Sequence, residues 1–105
     1  MKEYEAIFFI LNKGYVDEAM EAARAAGARG GTIINGRGTA DPEEMIRKLG
    51  ISVQAEKELL LILAEKGDKT AIMKAISAAA GLNKAGGGIG FSVPVEDTVG
   101  LSAED

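Results

Sequence analysis

Residues Gly27 to Thr39 read G-A-R-G-G-T-I-I-N-G-R-G-T, a short apolar strand, Thr32-Ile33-Ile34, held between two glycine-rich turns that each carry an arginine. Five of the thirteen residues are Gly, which frees the backbone to take positive φ and to approach another surface closely, at an entropic cost. Two readings fit: a place where backbone meets a ligand, or an ordinary helix-to-strand connection followed by a loose loop. Both place a helix before the strand and a long connection after it, and the rest of the chain can be read outward from there.

Upstream, Val16, Ala19, Met20, Ala23 and Ala26 recur at helical spacing, with Gly27 as the stop and an alanine-rich face suited to close packing on a sheet. Before it, Tyr4 to Leu11 is nearly continuous in apolarity, as expected of a strand buried on both faces or placed mid-sheet. Downstream, Asp41 to Gly50 carries a full set of helix boundary signals: Asp41 as cap, Pro42 in the first turn, Glu43 and Glu44 at the positive end, Arg47 and Lys48 at the negative end. A helix of about two turns is marginal alone, so it reads either as a movable reporter or as a docked decoration held by Met45, Ile46 and Leu49. Glu56 to Ala64 gives a third strand, central like the first. A helix capped by Asp68 follows, with Ile72, Met73 and Ile76 on its apolar stripe. Leu82 to Gly88 is a glycine loop, and Ile89 to Val95 a fourth strand whose Pro94 suits an edge. Of the acidic tail, only Val99-Gly100-Leu101 could pack. The order β-α-β-β-α-β predicts an α+β, ferredoxin-like sandwich, an antiparallel sheet with two helices on one face, formed by residues 1–105 as a single domain.

Composition narrows the function. The 105 residues carry 12 basic and 16 acidic side chains, a formal charge of −4, with no basic cluster interleaved with aromatics, so no nucleic-acid partner is expected. There is neither His nor Cys. The usual ligands of zinc and copper, the commonest general base and the reactive thiol are all missing, so neither a metal site nor catalytic residues are expected, and the chain reads as a non-enzyme. No apolar run is longer than the six residues of Ala6 to Leu11, against roughly 20 for a membrane span. The first residues run into it with no small-residue cleavage pattern, so no secretory signal is expected. Freedom from cysteine fits a reducing cytoplasm, the expected location.

Three features could hold a ligand. Gly86-Gly87-Gly88 could form an anion-binding nest with Lys84 beside it, or be a flexible turn into an edge strand. The loop joins a helix to a strand and no Lys-Ser/Thr pair closes it, which rules out a P-loop. Arg29 and Arg37 flank the second strand, and a planar guanidinium suits phosphate or carboxylate. Carboxylate pairs such as Glu43 and Glu44 read as solvated charge.

Taken together, A-G-A-R-G-G-T-I-I-N-G-R-G (Ala26 to Gly38), the strand region Ile51 to Leu63, and G-L-N-K-A-G-G-G-I-G-F-S-V-P-V-E-D-T-V-G-L (Gly81 to Leu101) resemble the PII-like branch of the PII signal-transduction proteins over nearly the whole chain. The resemblance implies a homotrimer with ligand sites in the clefts between subunits. It also implies a T-loop, here about residues 37–53, and a B-loop, about 82–88, which together hold the phosphates of an adenine nucleotide. By position, Gly36, Arg37, Gly38 and Thr39 would form the T-loop base with Thr32 near it, and Gly86, Gly87 and Gly88 the B-loop; Lys84 is added for its charge. The implied effector is a small anion, AMP, ADP, ATP or cyclic AMP, with no tightly bound cofactor, and the implied target is a membrane transporter or an enzyme engaged by the T-loop. The sequence departs from the family pattern where Ile89 takes the place of the lysine after the B-loop glycines, and where no arginine follows Arg47. Losing two or three charge-assisted contacts at about 1.5 to 3 kcal/mol each weakens triphosphate binding by orders of magnitude, which favours a smaller phosphate or a nucleotide-free interaction trimer. Tyr4 and Tyr15 both precede the second strand, so the T-loop tyrosine that some PII proteins have modified is absent.

Overall fold

Alternation along Tyr4–Asn12 (β1) sets the architecture: Glu5, Ile7, Phe9 and Leu11 are buried on one side, while Ala6, Phe8 and Ile10 on the other are only half-buried. The computed structural model describes residues 2–50, 54–82 and 87–101. After β1 come α1 (Val16–Ala25), β2 (Thr32–Arg37), α2 (Pro42–Leu49), β3 (Glu56–Glu65), a 3-10 turn (Lys66–Asp68), α3 (Lys69–Ala79) and β4 (Gly88–Val95). The strands pair antiparallel in the order β2-β3-β1-β4. This is the expected ferredoxin-like arrangement, with β1 and β3 central and the Pro94-bearing β4 at an edge.

The core lies between the sheet and the α1/α3 layer. Ile7, Leu11, Leu60, Ile62, Ile72 and Ile76 are fully buried there, each contributing about 1.5–3 kcal/mol of apolar transfer. Ala19 and Ala23 of α1 are fully buried as well, and their small side chains let α1 sit close to the strands. Gly90, opposite Phe9, makes room in the same way, since a β-carbon there would overlap the Phe9 ring. Among the described residues one charged group enters the core layer: Glu5, buried, accepts from Lys69 Nζ at 3.3 Å at the start of α3.

Asp68 precedes α3 as expected but makes no side-chain cap. The 3-10 turn leaves it with helical backbone angles (φ −96°, ψ −11°), whereas a capping side chain needs an extended N-cap. Its carboxylate packs over Gly27 instead. α2 carries the caps its sequence announces: Asp41 Oδ1 accepts from the Glu43 N–H at 3.0 Å, Lys48 reaches Glu44 at 2.8 Å, and Gly50 closes the helix in the left-handed region.

Among the described residues no helix lies on the other side of the sheet. Register places Ile34 and Thr32 of β2, Leu59, Leu61 and Leu63 of β3, Phe8 and Ile10 of β1, and Ile89, Phe91 and Val93 of β4 on this one face. The Phe8 and Phe91 rings stack on it with centroids 5.2 Å apart. Ile34 is 47% exposed and Ile89 59%. An apolar face of this breadth on a water-exposed domain marks a contact surface.

Candidate functional site

β2 ends in Gly36-Arg37, and the two residues that follow, Gly38 and Thr39, turn away from the sheet at the same point. The turn is fixed by the Gly38 N–H, which donates to the Ala55 carbonyl at 2.6 Å. Here the fold assembles a cleft lined by Asn35, Gly36, Arg37, Gly38, Thr39 and Lys57 over a floor of Ile10, Ile34 and Leu59. Lys57 is brought in by register, opposite Gly36 on β3, and lies along Gly38, where a β-carbon would come within 3.2 Å of Lys57 Cε. Its ammonium donates to Asn12 Oδ1 at 2.6 Å, which uses one of three donors.

The electrostatics of the cleft favour an anion. Arg37 and Lys57 line it and, among the described residues, no carboxylate does. Glu56, opposite Arg37 in register, is engaged by Lys13 at 3.4 Å, and no acid among the described residues pairs with Arg37. Two cations, a threonine hydroxyl and an apolar floor suit a ligand that has an anionic end and a flat or apolar body.

The predicted site residues separate into groups. Gly36, Arg37, Gly38 and Thr39 come together as expected. Thr32 does not join them: it opens β2 opposite Leu61, roughly 13 Å along the strand from Gly36 at the usual rise per residue. Gly87 and Gly88 lead into β4, at the far edge of the sheet but at the same end of it, since Gly36 pairs with Lys57, Lys57 with Asn12, and the adjoining Leu11 with Gly88. Three strand spacings, about 14 Å, separate the two edges. Lys84 and Gly86 lie outside the described residues. Arg29 lines a different cleft at the opposite end of β3, with Tyr4, Leu63, Glu65, Asp68 and Leu101. The two arginines flanking β2 therefore serve opposite ends of the sheet, and the cleft at Arg29 is lined by acids as well.

Lys57 and the floor residues Ile10, Ile34 and Leu59 were not legible as site residues. Their one sequence signal is apolarity on the second side of central strands, and only the strand register shows which of them meet Gly36.

The sequence matches no protein-family model and no curated protein. Among solved structures it is similar to the PII protein of Arabidopsis thaliana bound to citrate, with a TM-score of 0.73 and 19% identity, covering 100% of this chain and 86% of that one. At that identity the likeness establishes the fold: the chain has the PII-like α+β fold that its sequence resemblance implied.

Proposed function

We propose that this chain is a non-enzymatic PII-like regulatory protein that acts as a homotrimer and senses a small anionic ligand in clefts between its copies. The observation that carries the reading is the half-site at the end of β2: Arg37 and Lys57 over Ile10, Ile34 and Leu59, with no carboxylate among the described residues of the lining. It opens along a sheet edge, and the glycines that would complete it, Gly87 and Gly88, leave the opposite edge at the same end. In a ring, the β2 edge of one copy faces the β4 edge of the next, and the two halves become one receptor. The uncovered apolar sheet face supplies the surface that holds such a ring together.

The favoured ligand is an adenine nucleotide with one or two phosphates. Two cations match that charge, and the apolar floor offers the base or ribose a dry surface. The citrate on the structurally similar plant protein is likewise a small polyanion. Occupancy is reported by the segment after the cleft, residues 37–53, which contains α2, to a transporter or enzyme. A ligand can do this only by favouring one arrangement of that segment over another.

Calorimetric titration with AMP, ADP, ATP, cyclic AMP and citrate tests the proposal. One member of the set is expected to bind at one site per chain and to raise Tm with concentration by mass action. Flat isotherms throughout would leave a trimeric interaction module without a ligand.

A further inference from the structure

Helix α2 is fully specified, and among the described residues it has no extensive packing partner in its own chain. It is capped at both ends, yet none of its residues is buried, and Ile46 and Leu49 are 55% and 62% exposed. Eight residues with caps do not hold a helix in water without a packed face, so Met45, Ile46 and Leu49 call for a cover. Three side chains are far too little surface to recruit a second molecule alone, since stable interfaces bury about 1,200–2,000 Å². The cover is therefore a surface already held nearby.

One such surface lies beside β4 on the helix side of the sheet, a groove formed by Phe9, Met73 and Leu82 together with Lys74 and Ser77 and bordered by Ile89. Among the described residues its bed is apolar, Lys74 is its cation and no acid lines it. The first turn of α2 carries Glu43 and Glu44 beside the capping Asp41, so its charge complements Lys74. The groove also includes Gly88, at the sheet end from which β2 leaves. Within one chain the whole sheet separates α2 from this groove, because β2 and β4 are opposite edges. Between neighbours in a ring whose axis runs along the strands, the two edges adjoin and the sheet ends stay level. The link from Gly38 to Asp41 then has to cross one edge contact, and four residues reach about 13 Å.

We propose that α2 is an intersubunit latch, seated in the α3/β4 groove of the neighbouring copy with Met45, Ile46 and Leu49 down and Glu43 and Glu44 toward Lys74. The inference rests on the ring reading above. It adds a regulatory consequence: the link is part of the ligand half-site, so an anion drawn to Arg37 and Gly38 competes with the seated state and frees α2 for a partner.

The chain has no cysteine, so introduced thiols report cleanly. Ile46→Cys and Ser77→Cys chains, one bearing a mass tag, are co-expressed, oxidised without added nucleotide and resolved by denaturing mass spectrometry. The expected product is a disulfide-linked pair of one tagged and one untagged chain, far above the yield of an Ile46→Cys and Glu21→Cys control. No excess over that control in an assembly whose light-scattering mass is three chains overturns the latch and leaves the ring standing. A single-chain mass overturns both. A link found only within one chain of the Ile46→Cys/Ser77→Cys double variant also overturns the proposal, since α2 would then seat on its own groove.

Discussion

Leu61→Asp is expected to convert the assembly into folded single chains. Leu61 lies in the middle of β3, between Thr32 of β2 and Phe8 of β1 in register, on the side of the sheet that no helix covers. Within one chain Leu61 is only half-buried. Removing it forfeits about half of the roughly 1.5–3 kcal/mol that full burial of a Leu supplies, and Asp in a strand costs up to about 1 kcal/mol more. A loss near 2 kcal/mol is survivable for a domain with the usual stability of about 5–15 kcal/mol. In a ring closed over this face, the same carboxylate is buried without a partner in every copy, at several kcal/mol each, and three such penalties exceed what an ordinary interface holds in reserve. Light scattering coupled to size exclusion should give a single-chain mass, with the far-ultraviolet circular dichroism of the parent. Thr70→Asp, exposed on α3, should leave the parental mass unchanged. A folded Leu61→Asp protein that keeps the parental mass would refute the assignment of this face to the contact between copies.

Further outcomes follow from the site and the core. Arg37→Ala and Lys57→Ala should each weaken binding of the ligand found by titration about 10- to 100-fold, the loss of one charge-assisted contact; unchanged affinity in calorimetry would remove that residue from the site. Lys69→Met leaves the buried Glu5 carboxylate without its cation and should cost about 3 kcal/mol, the lower part of the range for a broken buried pair, because the Lys69 side chain is 30% exposed; urea denaturation with an unshifted midpoint would contradict the pairing. Gly90→Val forces Phe9 from its place and should destabilise by about 1–3 kcal/mol through overpacking, read as a drop in Tm of several degrees. Ile76→Ala empties a fully buried position and should cost about 2–5 kcal/mol, measured in the same denaturation series.

The fold was legible because several levels of the sequence agree. Nearly continuous apolar runs give β1 and β3, Pro94 puts β4 at an edge, and the residues from Asp41 to Gly50 announce α2 at both ends. Asp68 misled because a 3-10 turn before α3 changed its backbone angles, which no side-chain preference reveals. The continuous apolarity of β1 and β3 pointed to cover on both faces, and among the described residues of one chain only one face has it. The arginine and glycines at the end of β2 were found because they are contiguous. Lys57, some twenty positions away, reaches the cleft only through the pairing of β3 with β2. Thr32 and Arg37 look like neighbours in sequence, but an extended strand carries them apart, and one side of the cleft is lined by floor residues that are unremarkable hydrophobics until register groups them.

Native mass spectrometry of the unmodified protein with ADP, AMP and citrate tests the central claim most directly, because it counts chains and ligands in the same ion. The account predicts that ligand appears only on three-chain assemblies and saturates at three per assembly. Ligand held by single chains, or one ligand at most on any assembly, would contradict a receptor made where neighbouring copies meet.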